Sequence, residues 1–307
     1  MAAAAKSDSA RVRVSRPGKL LYPDDGLDKR AVTAYYRRIA PYALPHCAGR
    51  PLTLRRFPDG IASTGFYHKH APDAAPAWMT RVRVPLVDGS MTQLVADDAD
   101  SLVWLADYGA LELHLALAPA AHPHRPDRIV FDLDPPGDGR GAFAAVQDAA
   151  RAVRALAREL GLVSAVQTSG SRGLHVVWPI LPHHDYDRVH AFARDCAALL
   201  ARREPGRLTA AQRKDARGDR VFLDYLRNSP GQTAIAPYSL RALPGAPIAT
   251  PLDWREALAA DMHAQRYHLR NIFRRLGQRD CPWQDIAATA RELAPARDAL
   301  ARLEALT

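Results

Sequence analysis

The sequence predicts an α+β fold centred on a β-α-β-β-α-β unit. Three observations predict it. An apolar run at 128–134 ends in two aspartates, Asp132 and Asp134. Two stretches, 143–160 and 189–200, place apolar residues at steps of three and four, the period of a helix face. Between them, Ser169-Gly170-Ser171-Arg172-Gly173 separates two further apolar runs and reads as a tight turn.

In chain order, residues 1–10 are Ala-rich and read as a disordered tail. The part from 11 to 127 mixes short strands and helices. Asp28 is placed to cap a helix carrying Val32, Tyr35, Tyr36, Ile39 and Tyr42 on one face. Ala48-Gly49-Arg50-Pro51 ends it. Residues 52–57 read as a strand carrying Arg55 and Arg56, closed by the turn Pro58-Asp59-Gly60. A mixed apolar segment at 102–117 holds Glu112 and His114. Strands follow at 128–134, 162–168, 174–180 and 221–226. The helix at 143–160 stops at Gly161, and the second at Glu204-Pro205-Gly206. Residues 251–307 read as Arg-rich helices, the first starting at Leu252-Asp253-Trp254, with a packing or positioning role.

The split βαβ order is shared by ferredoxin-like and RNA-recognition folds. In it the first strand is central and flanked by the third and fourth. Side chains at i and i+2 share a strand face. Asp132 and Asp134 therefore point the same way, with Asp224 beside them on the fourth strand and His175 on the third. Paired acids of this kind suit a hard divalent cation, Mg²⁺ or Mn²⁺, bound through oxygen. Three acids on neighbouring strands suit two such ions about 3.5–4 Å apart, an arrangement for phosphoryl or nucleotidyl transfer. The Ser/Gly turn offers backbone N–H groups, hydroxyls and a guanidinium to phosphates; it also fits a plain hairpin. It lacks the spacing of a Walker loop.

The chain has 307 residues and a formal charge of +9, which favours a polyanionic partner such as nucleic acid. Its hydrophobic share of 48% fits a globular protein, and no apolar run reaches membrane-spanning length. Cys47, Cys196 and Cys281 are far apart, so neither a disulfide framework nor a zinc knuckle is indicated, and a reducing cytoplasm is expected.

Several separated strings resemble one family. Phe131-Asp132-Leu133-Asp134-Pro135, Thr168-Ser169-Gly170-Ser171-Arg172-Gly173-Leu174-His175 and Val221-Phe222-Leu223-Asp224-Tyr225-Leu226-Arg227-Asn228 look like the three motifs of the archaeo-eukaryotic primase superfamily. More narrowly, the chain resembles the polymerase domain of bacterial DNA ligase D. That likeness extends through Pro17-Gly18-Lys19-Leu20-Leu21-Tyr22-Pro23, Arg56-Phe57-Pro58-Asp59-Gly60, Leu111-Glu112-Leu113-His114 and Ala236-Pro237-Tyr238-Ser239-Leu240-Arg241.

The resemblance implies one compact polymerase domain: an N-terminal α/β part (11–127), a primase-type catalytic core (128–250) and a C-terminal helical segment (251–307). It implies two Mn²⁺ or Mg²⁺ ions on Asp132, Asp134 and Asp224, with Mn²⁺ favoured. Ser171, His175 and Arg241 would hold a nucleoside triphosphate, with His114 and Arg55 or Arg56 beside it. Lys19 and Lys29 would grip the 5′-phosphate of a DNA end or gap. Phe66 and Tyr67 would stack on the template, and Lys69 would touch the DNA backbone. Ribonucleotides would be preferred, and bacterial Ku and a ligase would be partners at the nucleoid. One departure is Gln232, where many relatives carry a lysine. The ligase and phosphoesterase modules that often accompany this domain have no counterpart in these 307 residues, which suits a stand-alone protein or an excised domain. The rival readings are a primase that starts strands de novo and a non-catalytic module binding DNA ends.

Overall fold

The structure, a computed structural model, describes residues 11–85, 88–137 and 141–306; the expected tail at 1–10 lies outside them. The N-terminal part runs β1 (Leu20–Tyr22), β2 (Leu27–Asp28), α1 (Lys29–Cys47), β3 (Leu52–Arg56), β4 (Phe66–His68), β5 (Arg81–Pro85), β6 (Ser90–Leu94), α2 (Ala99–Asp107) and β7 (Ala110–Ala116). Asp28 caps α1, its carboxylate accepting from the Ala31 amide. The segment read as mixed at 102–117 divides into α2 and β7, with Gly109 at φ +82° making the bend between them.

The part expected from the sequence to be the catalytic core runs β8 (Arg128–Asp134), α3 (Ala142–Glu159), β9 (Ala165–Thr168), β10 (Leu174–Pro179), α4 (Tyr186–Arg203), β11 (Leu208–Thr209), β12 (Val221–Asp224) and β13 (Thr233–Ile235). Its sheet has the order β11-β12-β8-β10-β9, so β8 is central with β10 and β12 as neighbours. The register sets Asp132 opposite both Asp224 and His175. Ile129, Phe131 and Leu133 share a core with Val146, Val153, Leu156, Phe192 and Leu199 of α3 and α4. The alternate residues of β8, including both aspartates, face the other way. Beyond Asp224 the chain leaves the ladder, and Asn228 replaces it. This wholly buried amide accepts from the Val130 N–H and donates to the Val130 carbonyl.

Two segments cross the expected boundaries. β13 joins the N-terminal sheet, whose order is β13-β7-β3-β4. The reading of 251–307 as helices is corrected at its start: β14 (Pro251–Leu252) is an edge strand of the catalytic sheet, paired with β9. Short helices α5 (Trp254–Ala257) and α6 (Ile272–Leu276) follow, then the longer α7 (Leu293–Glu304). Buried Arg275 joins this segment to itself, its guanidinium donating to both carboxylate oxygens of Glu256. The two sheets approach each other at β7, β13, β8 and β10, and the candidate site lies in the cleft.

Candidate active site

A pocket of about 140 Å³ opens in this cleft. The catalytic sheet lines it with Asp132, Asp134, Ser169, Ser171, His175 and Arg227; the N-terminal sheet and its following loop supply Tyr67, His114, Thr233 and Arg241. Of the residues singled out in the sequence, Asp132, Asp134, Ser171, His175, Arg241, His114 and Tyr67 meet here. Asp224 stands beside Asp132 by register.

The acids are unequal. Asp132 is buried, which alone would raise its pKa, yet His175 (Nε2 at 3.2 Å) and Arg227 (Nη2 at 3.2 Å) hold it well below the usual carboxylate range. Asp134 and Asp224 are raised, first by burial and then by the charge on Asp132. Arg227 also reaches Asp224 at 3.7 Å. The donor set is all oxygen and the surplus charge is negative, so the three acids fit hard divalent cations. Among the described residues no closed cage of three or more ligands is drawn together. Arg227, which received no role in the sequence reading, is the cation now lying across the acids.

The Ser/Gly turn is shaped by close approach. Gly170 has φ +66°, and a Cβ there would lie 2.8 Å from the Ala249 amide nitrogen and from Arg241. The Ser169 hydroxyl accepts from the amides of Ser171 and Gly173, so these two N–H groups are already used inside the turn. Arg241 donates from Nη1 to the Ser169 carbonyl at 2.6 Å. Arg172 turns outward and donates to the carbonyls of Pro135 and Gly137.

Behind His114 and Arg241 sits Glu112, 1% exposed and given no role in the sequence reading. Its carboxylate lies 3.3 Å from His114 Nε2, 3.2 Å from Arg241 Nε and 3.3 Å from Arg55 Nη1. The alternation of Leu111-Glu112-Leu113-His114 could have flagged a polar face between buried leucines.

The remaining expectations divide. Phe66 and Tyr67 are both exposed but occupy opposite faces of β4, as strand alternation requires. Tyr67 meets His114 edge-on, 5.7 Å between ring centres, and lies near Arg55. Phe66 lies against Arg56 and His68 on the far side. Arg55 and Arg56 are therefore set apart by strand alternation. Arg55 stands one step behind the pocket on Glu112. Arg56 bonds the Tyr108 carbonyl and covers the Tyr108 ring at 3.5 Å, away from the pocket. Lys69 donates to the Gly231 carbonyl at the rim, beside the exposed Gln232. Lys19 pairs with the exposed Asp59. Lys29 is 4% exposed, and its ammonium is engaged by the Ser15 hydroxyl and by the carbonyl and carboxylate of Asp107. It does not present an open cation, contrary to the simplest form of the end-grip expectation. The backbone links the two lysines, since the Lys29 amide donates to the Lys19 carbonyl.

A sheet with acids on its open face is thus set against a second sheet bearing histidine and arginine, and the comparisons with known proteins give the class of domain. Residues 28–283 match the family described as LigD, primase-polymerase domain. The chain belongs to that family. It is 36% identical over 265 residues to the multifunctional non-homologous end joining protein LigD of Mycolicibacterium smegmatis, covering 84% of this chain and 34% of that protein. Against the protein of the same name from Pseudomonas aeruginosa it is 34% identical over 297 residues, covering 96% of this chain and 35% of the relative. The chain thus spans about a third of the length of these curated relatives. Among solved structures, the polymerase domain from Mycobacterium tuberculosis Ligase D in complex with DNA superposes with a TM-score of 0.84 at 33% identity, covering 92% of this chain and all of that one. Among the described residues no helix is long and apolar enough to cross a membrane.

Proposed function

We propose that this chain is a template-directed nucleotidyltransferase that extends DNA 3′ ends at gaps and breaks during bacterial non-homologous end joining. The observation that carries the reading is the register of the catalytic sheet, which sets Asp132 between Asp224 and His175, with Asp132, Asp134 and His175 in a pocket also lined by Ser171, Arg227 and Arg241. Acids from one sheet facing arginine and histidine across the cleft suit a nucleoside triphosphate.

Asp132, Asp134 and Asp224 would hold two divalent ions, Mn²⁺ in preference to Mg²⁺. Bound there, such ions activate an attacking hydroxyl and neutralise the departing pyrophosphate. Ser171, His175 and Arg241 hold the triphosphate. Arg227, paired with Asp132 and Asp224 in this structure, would be available to the phosphates where the acids held cations. His114 and Tyr67 flank the sugar and base. The pocket is smaller than the ~300–1,000 Å³ of a site enclosing a whole ligand, which suits a base lying against a template rather than inside protein. Phe66 contacts the template on the far side of β4, and Lys69 its backbone.

Lys19, in a surface pair that is weak in water, exchanges Asp59 for the 5′-phosphate of the downstream strand. Lys29 supports it from beneath. Ribonucleotides are the preferred substrate, and Ku and a ligase supply the ends and the final seal.

The test is single-nucleotide extension on gapped DNA with a downstream 5′-phosphate, in Mn²⁺, with ribo- and deoxyribonucleotides compared. Templated addition that is lost in Asp134→Ala, with DNA affinity kept, supports the reading. DNA binding without addition by a folded wild type identifies an end-binding module instead, and strand synthesis without a primer identifies a de novo primase.

A further inference from the structure

Glu112 is a buried carboxylate that does not line the pocket, yet it touches two residues that do. It lies on β7 two positions before His114, so both share a face, and it stands opposite Arg55 in the β3–β7 register. One oxygen, Oε1, accepts from the Ala242 amide at 3.1 Å and lies 3.2 Å from Arg241 Nε. The other, Oε2, faces His114 Nε2 at 3.3 Å. Arg241 is therefore held in two ways: Nη1 donates a hydrogen bond to the Ser169 carbonyl, and the buried Nε, which makes no hydrogen bond, lies in an ion pair with Glu112. An unpaired carboxylate so deep in the protein would be costly. Here His114, Arg241 and the Ala242 amide compensate it and, against the upward effect of burial, bring its pKa down to about 2. The anion is thus held in its charged form at neutral pH, and both of its oxygens are committed to protein groups.

Arg241 belongs to the loop after β13 and His114 to β7. The Glu112 carboxylate is the shared contact that fixes one relative to the other. We infer that Glu112 is a positioning residue for nucleotide binding, setting the guanidinium that meets the phosphates and the imidazole beside the sugar at the spacing one nucleoside triphosphate requires. This rests on the reading of the pocket as a nucleotide site. Glu112 acts before and throughout the reaction equally, so its loss appears in KM rather than in kcat.

The experiment uses Glu112→Gln, which keeps the volume and an acceptor for the Ala242 amide but removes the charge. The KM for nucleotide should rise about 10- to 100-fold, the range for losing charge-assisted bonds, with kcat within about threefold and DNA affinity unchanged. In an Arg241→Ala background the same substitution should add less than about threefold, because the residue it positions is gone. A KM within about twofold of wild type overturns the inference. So does an equal KM increase in both backgrounds, which would mark a structural role. Should Glu112→Gln not fold, Glu112→Asp carries the test: it keeps the charge and shortens the reach, so it too should raise KM selectively, and an unchanged KM in that variant counts against the inference. A wild type that neither extends primers nor binds Mn²⁺–nucleotide in equilibrium titration removes the site reading, and the inference with it. Wild-type binding with unaltered affinity in the variants removes the inference alone.

Discussion

Gly173 is the tightest point of the site. A Cβ at that position would lie 1.8 Å from the Leu133 carbonyl oxygen and 3.2 Å from Asp134 Oδ1. The neighbour is backbone in the central strand, so it cannot rotate away. Gly173→Ala should therefore push β10 off β8 at the level of the acids. The expected cost is about 3 kcal/mol or more, at the upper end of overpacking, with extension activity lost. Chemical denaturation beside the extension assay checks both, and a variant with wild-type stability and activity would contradict the packing described. The lysines show what residue patterns do not reveal. Lys19 and Lys29 look alike in sequence, but only Lys19 keeps an exposed partner, while Lys29 is sealed by Ser15 and Asp107. Such burial depends on contacts 78 residues away.

At the scale of elements, the catalytic sheet was legible because its signal is strictly local. Alternation on β8 and β12 placed Asp132, Asp134 and Asp224 on one face, and the β-α-β-β-α-β order placed the strands side by side. The two-residue strand β14 and the return of β13 to the other sheet carry no such period, and both were missed. Asn228 sits between these cases: its motif was visible, its task was not. It completes the β8 ladder where β12 ends, bonding both backbone groups of Val130. Asn228→Leu should leave a buried donor and a buried acceptor unpaired and cost about 2–6 kcal/mol at ~1–3 kcal/mol for each group. Faster amide exchange at Val130 should accompany the loss. Unchanged exchange there would show that another group takes over the ladder.

At the scale of the whole molecule, the C-terminal segment braces the two sheets rather than standing apart, and His46 marks the junction. It sits near the end of α1, 4% exposed, stacked on Tyr238 at 6.3 Å and edge-on to Trp283 at 6.1 Å, with Cys281 Sγ 3.6 Å from Nε2. The Trp283 indole in turn donates to the Val166 carbonyl on β9. Burial first, then the positive charges of Arg128 and Arg50, lower the His46 pKa from 6.5 to about 4. Between these values the unfolded chain binds a proton that the folded chain refuses. Stability is therefore complete above pH 6.5 and declines as pH falls through the window, by about 3 kcal/mol at pH 4. Carboxylates such as Glu112 add their own losses as pH drops below their unfolded values near 4.5, so the informative range is pH 5–6.5. His46→Phe, which keeps an aromatic ring between Tyr238 and Trp283 but cannot take up a proton, should flatten the decline there. Equal slopes for wild type and variant in denaturation at a series of pH values would show that the junction tolerates a charged His46.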